Sequence, residues 1–237
     1  MRVLAVILAA GSGDRFGAAV PKQFSRIDGV PLVTHVVRAV QGAGVDCVVA
    51  MPPSWHEHGR AEVGGCDVIA GGPTRTETVR CAWREAQRRG ADALLLHAAT
   101  RPFLTSALVS YLVDHADGYD GLMTGCRLVG GLVDHVSGDV AQRDRFIETA
   151  TPELVRVQAL AAGLARATRD HTLAAEFVLA AGLRVGYVEP GFLNLKVTYP
   201  GDLGLAERLW RAGVVTGEPA GPFPIPLPRS EGDTGRA

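Results

Sequence analysis

Short apolar runs alternate along this chain with stretches of helical periodicity, and no other feature narrows its folding options as much. The runs are RVLAVILAA, VDCVVAM, CDVIAGG, ADALLLHA, GLMTGC, LRVGYVE and FLNLKVT. Runs of this length bounded by helical segments predict an α/β fold, a mostly parallel twisted sheet with crossover helices on both faces. The clearest helix starts near Pro31, with Leu32, Val36 and Val40 on one stripe beside Val33 and Val37, and stops at Gly42 and Gly44. A second runs from about Thr74 to Arg89, with Gly90 past its end, and a third follows Thr105 as its N-cap.

The pattern changes beyond Gly138. GDVAQRDRFIETATPELV is charged and weakly periodic, as expected of an excursion from the sheet, and arms of this kind often reach a neighbouring subunit. PELVRVQALAAGLARAT and AAEFVLAAG read as helices, and PGDLGLAERLWRAG as a closing helix. From Thr216 the chain carries five of its 14 prolines, so this tail is expected to be disordered or loosely docked. The expected organisation is one domain over 1–213, with an arm at about 129–150, followed by a Pro/Gly-rich tail over 214–237.

Hydrophobic residues make up 47% of the 237, yet no apolar stretch approaches the roughly 20 needed to span a bilayer. The start, MRVLAVILAAGSG, resembles a secretory leader superficially, but its apolar run is short and flows into glycines, which favours a buried strand. Twenty-four basic against 25 acidic residues leave a net charge of −1, which gives no footprint for nucleic acid or an anionic membrane. Any anion site must therefore be local, and a cytoplasmic location is expected. Cys47, Cys66, Cys81 and Cys126 show no metal-ligand spacing and read as buried free thiols. His56 and His58, in HEH, read as part of a solvated loop rather than a metal site.

LAAGSGDRFGAAVPKQF, Leu8 to Phe24, places glycines directly after the first strand. Glycine lets backbone N–H groups approach a phosphate closely and take up left-handed turns. A Walker A loop would need lysine where Ala18 stands, so that reading fails. A dinucleotide loop fits poorly, because the glycines are Gly11, Gly13 and Gly17 and no acidic residue ends DCVVAMPP. A third arrangement remains, in which Arg15 and Lys22, seven residues apart, converge on a triphosphate while Pro21 stiffens the lysine's approach.

LAAGSGDRFGAAVPKQ resembles the nucleotide loop of sugar-phosphate nucleotidyltransferases, and its form is most similar to the 2-C-methyl-D-erythritol 4-phosphate cytidylyltransferases, with the polyol-phosphate cytidylyltransferases sharing it. The likeness continues in order through GGPTRTETV (family GGxxRxxSV), HAATRP (HDAARP), ATPELV (TPQ) and NLKVTYPGDL (NIKVTxPEDL), from residue 3 to about 210. It implies a single Rossmann-like nucleotidyltransferase domain with a dimerisation arm, acting on CTP with Mg²⁺ in isoprenoid biosynthesis. By this resemblance Ala9, Ala10, Gly11 and Gly13 would give backbone contacts to CTP, and Arg15 and Lys22 would hold its phosphates. Gly71, Gly72 and Thr78 would meet cytosine and ribose, with Arg75 near them and Ala99 beside the nucleotide. Lys196 would meet both substrates' phosphates. Arg101, Thr151 and Thr172 would face the acceptor, as would Arg143, with Arg145 as the competing choice for the arm arginine. The arm arginine of the family usually reaches the partner subunit, so a homodimer is expected.

The chain also departs from that pattern, marking it as a divergent member. Ala98 stands where the family has aspartate, the arm's usual DT falls at Val129 and Gly130, and TDE becomes Thr172, Leu173 and Ala174. All three changes lie on the acceptor or metal side. Two readings follow: a cytidylyltransferase with a different phosphate or phosphonate acceptor, or a nucleotide-binding paralogue with a regulatory or partner role. Asp202 and Glu176 suit helix-cap and helix-face roles better than metal ligation, so Mg²⁺ is expected to be held mainly by the CTP phosphates.

Overall fold

The computed structural model describes residues 1–11, 16, 20–191, 194–214 and 218–226. In chain order its elements are β1 (Val3–Leu8), the short pair β2 (Arg26–Ile27) and β3 (Val30–Pro31), α1 (Leu32–Gly42), β4 (Asp46–Met51), α2 (His56–Glu62), β5 (Asp67–Ala70), α3 (Arg75–Arg89) and β6 (Ala93–Ala98). They continue as α4 (Ser106–Asp114), β7 (Gly121–Arg127), the short pair β8 (Leu132–Val133) and β9 (Val140–Ala141), β10 (Ile147–Arg156), α5 (Val157–Arg166), α6 (Ala174–Ala180), β11 (Val185–Glu189), α7 (Pro200–Arg211) and β12 (Ala220–Pro224).

Eight strands form the main sheet in the order β12-β11-β7-β10-β6-β1-β4-β5. Its parallel part is β5-β4-β1-β6, β11 runs parallel to β7, and β10 and β12 run antiparallel to their neighbours. All of VLAVIL in β1 is buried, as befits a strand covered on both faces. Alternation sends Ala5 and Ile7 into the cluster with Val33 and Val36 of α1 and Leu108 of α4, and Leu4 and Val6 into the one with Val79 of α3, Leu160 of α5 and Phe177 of α6. Each large apolar side chain so buried contributes about 1.5–3 kcal/mol before entropy is counted. A smaller cluster, Ile27, Leu32, Phe103, Val197 and Ala206, seats α7.

The helix signals read from the sequence act as expected. The Thr74 hydroxyl accepts from the Glu77 N–H while the Glu77 carboxylate accepts from the Thr74 N–H, and Gly90 ends α3 at φ 64°. The Thr105 hydroxyl accepts from the Leu108 N–H at the start of α4.

Several local expectations differ from the structure. FLNLKVT is not a strand where it is described: the Thr198 and Tyr199 N–H groups donate to Asp202 Oδ2, capping α7, and Val197 turns into the α7 cluster. The Val197 N–H does reach Thr100 O at 2.8 Å, but the Thr198 N–H that would continue a ladder is spent on the helix cap. PELV is not helical but the end of β10, between β6 and β7, because the apolar run Leu154–Val155 fills a central strand. Ile147–Ala150 likewise pair with β7, so the excursion is shorter than expected and consists of the β8–β9 hairpin and a turn at Arg143–Arg145. Part of the tail joins the sheet: residues 220–224 form β12, which pairs with β11, Tyr111 donates its hydroxyl to Gly221 O, and Ile225 N–H donates to Val185 O at 2.9 Å. Proline is tolerated there because β12 is an edge strand.

The HEH segment is helical rather than a loop, starting α2, and His58 packs edge-on against Phe24 at 4.5 Å between ring centroids. The four cysteines are free, but only Cys66 is buried; Cys47 and Cys81 are half-buried, Cys126 is exposed, and the Sγ atoms of Cys47 and Cys66 lie 3.1 Å apart.

Candidate active site

The C-terminal ends of β1, β5 and β6 open on one cleft of about 340 Å³, the place where open α/β sheets receive ligands. Leu8 to Gly11 form its floor, Gly72 to Arg75 and Thr78 one wall, Ala98 and Thr100 another, and Lys22, Gln23 and Lys196 complete it.

Each wall is fixed by contacts traceable to the sequence. The Ala9 N–H donates to Ala50 O at 2.8 Å, and the buried Gln23 amide donates to Ala9 O at 2.8 Å. Gln23 therefore ties the turn Lys22–Phe24, which follows Pro21 at φ −54°, to the end of β1, and so places Lys22 at the cleft. A Cβ on Gly71 would lie 2.4 Å from that of Ala10, and one on Gly72 2.4 Å from that of Glu77 and 2.8 Å from its carbonyl carbon. Only glycine permits this approach of β1 to the N-terminus of α3. The Thr78 hydroxyl accepts from the Gly72 N–H at 3.1 Å and lies within hydrogen-bonding reach of Gly72 O and Thr74 O. It holds the glycine turn from inside. The first turn of α3 brings its free N–H groups and positive dipole end to the same wall.

Lys22, Arg75 and Lys196 give the cleft a cationic lining, and among the described residues no carboxylate shares it. Asp202 sits nearby with its acidity strengthened, first by the Tyr199 and Thr198 N–H groups and then by the charge of Lys22. Beneath the cleft, Arg75 Nη2 lies 3.1 Å from Glu153 Oε1, and Glu153 is wholly buried. Burial pushes the Glu153 carboxyl up to about 7 although Arg75 and the Ala175 and Ala174 N–H groups oppose this. His97, also wholly buried, is held down at about 3 by desolvation, with the charges of Arg101 and Arg75 adding to it.

Not every residue implied by the resemblance meets in this cleft. Gly13 and Arg15 lie outside the described residues. Gly71 sits just behind the cleft wall, packed on Ala10. Ala99 is buried and uses its N–H to join Leu8 O at 3.0 Å, tying β6 to β1 instead of lining the cleft. The Thr151 hydroxyl accepts from the Ala98 N–H at 3.1 Å, making it a brace for the cleft wall. Arg101 turns away to donate to Asn194 O and lines an adjoining cavity of about 260 Å³ with Cys126, Glu148 and Asn194; burial lowers its basicity. Arg143 donates to Val129 O at 2.6 Å at the base of the β8–β9 hairpin, away from the cleft lining. Arg145 belongs to the same exposed turn. Thr172 is exposed, next to His171, whose N–H donates to Thr76 Oγ1 at 3.3 Å. Gln23 and Glu153 were not singled out from the sequence, although the first stands in PKQ and the second breaks the TPQ pattern.

Residues 3–212 match the family IspD, 2-C-methyl-D-erythritol 4-phosphate cytidylyltransferase. The enzyme of that name from Nitrosomonas eutropha is 34% identical over 91% of this chain and 100% of its own length. A bifunctional enzyme IspD/IspF from Maricaulis maris is 32% identical over 91% of this chain, which spans only 59% of that longer protein. Among solved structures, 2-C-methyl-D-erythritol 4-phosphate cytidylyltransferase from Thermus thermophilus superposes with a TM-score of 0.70 at 27% identity, covering 89% of this chain and 100% of its own. With the motif order, the sheet topology and the match over 3–212 in agreement, the chain belongs to the 2-C-methyl-D-erythritol 4-phosphate cytidylyltransferase family.

Proposed function

We propose that this chain transfers CMP from CTP to a phosphate or phosphonate acceptor, giving a CDP-linked or CMP-linked product and pyrophosphate. The observation that carries the reading is the convergence of Lys22, Lys196, the Gly72 turn and the α3 N-terminus on one cleft at the strand ends. An acceptor oxygen attacks the α-phosphorus of CTP, the bond from that phosphorus to the bridging oxygen breaks, and pyrophosphate leaves with the electron pair. This step needs charge neutralisation and in-line placement rather than a nucleophilic side chain. In this reading Lys22 and Lys196 offset the triphosphate charge, and Gly11 and Gly72 bring backbone against the nucleotide.

The described residues do not build a metal site: the cleft lining has no carboxylate, and no group of three His, Cys, Asp or Glu is suitably placed among them. In this reading Mg²⁺, which the family resemblance implies, would be held mainly by the CTP phosphates and would offset their charge. The family's default acceptor is 2-C-methyl-D-erythritol 4-phosphate. The methyl of Ala98 on the cleft wall, where the family motif has aspartate, favours an acceptor with a different hydroxyl pattern. The same methyl is the observation behind the second reading, a nucleotide-binding paralogue that does not turn over. Homodimer formation is supported by apolar side chains on the excursion, where Val129 is 87% and Val136 86% exposed. No helix among the described residues is long and apolar enough to cross a membrane, and a cytoplasmic location accords with this.

The test is pyrophosphate release from CTP across a panel of polyol phosphates and small phosphonates, including 2-C-methyl-D-erythritol 4-phosphate and ribitol 5-phosphate. Acceptor-dependent release supports transfer; CTP binding with no release on any member supports the paralogue.

A further inference from the structure

Glu153 stands apart from the other acidic groups, being the sole carboxylate among the buried residues described. It follows a break in the pairing of β10 with β7 between Ala150 and Glu153. Alternation along β10 then sends Leu154 to the α1 side and Val155 to the α3–α6 side, and Glu153 shares the side of Val155. There its two oxygens serve different elements. Oε1 meets Arg75 Nη2 on α3 at 3.1 Å, and Oε2 accepts from the Ala175 N–H at the start of α6 at 2.8 Å. Arg75 leaves this buried anchor to line the cleft, and its Nε is buried with no hydrogen-bond partner among the described residues.

We infer that Glu153 is a positioning residue of the nucleotide site, its ionised carboxylate holding the Arg75 guanidinium at the cleft wall. This rests on the reading that the cleft binds CTP. The exchange within the motif agrees with it: TPQ carries a neutral amide where TPE carries a charge, and the acidic positions of TDE are Leu173 and Ala174 here, beside α6. The carboxylate is present on the strand and absent from Leu173 and Ala174 at the start of α6.

A buried carboxylate that ionises near neutrality makes such a contact pH-dependent. The charged and titratable groups around Glu153 are Arg75 on α3, Glu176 on α6 with its partner His171, and His97 on β6. His97, held down at about 3, stays neutral throughout the relevant range. Glu176 is near enough to disfavour the ionised form, whereas Arg75 and the Ala175 and Ala174 N–H groups favour it. When Glu153 takes up a proton it loses its charge attraction for Arg75, and the guanidinium is less firmly held.

The experiment is calorimetric CTP affinity for the full chain, for Glu153→Gln and for Arg75→Ala, from about pH 5.5 to about 8.5. The γ-phosphate of CTP titrates in the same range but cancels in the ratio of wild-type to variant affinity. The expected ratio for Glu153→Gln is near one at the acidic end and rises roughly five- to tenfold through neutrality. In the Arg75→Ala background, Glu153→Gln should change affinity no further. A ratio constant with pH, or an equal loss from Glu153→Gln without Arg75, overturns the inference while leaving the CTP reading intact. Should Glu153→Gln not fold, the ratio of wild type to Arg75→Ala must show the same rise through neutrality, and a constant ratio overturns the inference. Failure of the wild type to bind CTP at any pH overturns both.

Discussion

Lys22 owes its place to its neighbours. Pro21 sets the turn, and the Gln23 amide locks it onto Ala9, so the ammonium is offered to the cleft by a braced backbone. Replacing the lysine removes a charge without touching that brace. Lys22→Ala should therefore lower pyrophosphate release at least about 100-fold, a loss in keeping with removal of one charge-stabilising group, while circular dichroism and melting temperature stay close to wild type. The cleft cations and glycines could be read from the sequence because motif order carried them. The inward roles of Thr78, Ala99 and Thr151 could not, since a hydroxyl or amide that braces a wall and one that meets a ligand look alike in a string of letters. Glu153 was hidden for a related reason: its Arg75 partner is 78 residues away in sequence.

Local chemistry decided some elements and long-range pairing decided others. The α3 capping box of Thr74 and Glu77 is entirely local, and the extent of the helix it starts, from about Thr74 to Gly90, was legible in the sequence. Thr74→Ala should lower stability by about 1 kcal/mol, measurable by urea unfolding, and should weaken CTP binding because the same turn forms the cleft wall. By contrast, PELV became strand because β6 and β7 stand on either side of it, and the segment after Ala220 became strand because β11 presented an open edge. Neither neighbour is nearby in sequence, so periodicity alone gave no sign of them. FLNLKVT ends differently for a local reason: Val197 N–H still reaches Thr100 O, but the next donor, Thr198 N–H, caps α7 through Asp202.

At the scale of the whole molecule, the two buried titratable groups beneath the cleft set opposing pH trends. The native state keeps a proton on Glu153 from its ordinary 4.5 up to about 7, so this group makes stability fall as pH rises through that window. His97 is neutral in the native state down to about 3 but protonates at an ordinary 6.5 when unfolded, so its contribution is complete above 6.5 and is lost as pH falls. Between 4.5 and 6.5 the two slopes oppose one another. Glu153→Gln removes one of them, so its unfolding free energy should rise with pH there more steeply than the wild type's, by about 1 kcal/mol per pH unit, as urea unfolding at a series of pH values would show. Whether this cleft transfers a cytidylyl group is decided by CTP labelled at the α-phosphorus and offered with the polyol phosphate and phosphonate panel. Label should appear in a new acceptor-linked product, with one unlabelled pyrophosphate released per transfer and both lost in Lys22→Ala; label that stays in CTP with every acceptor, while CTP binds normally, would rule cytidylyl transfer out.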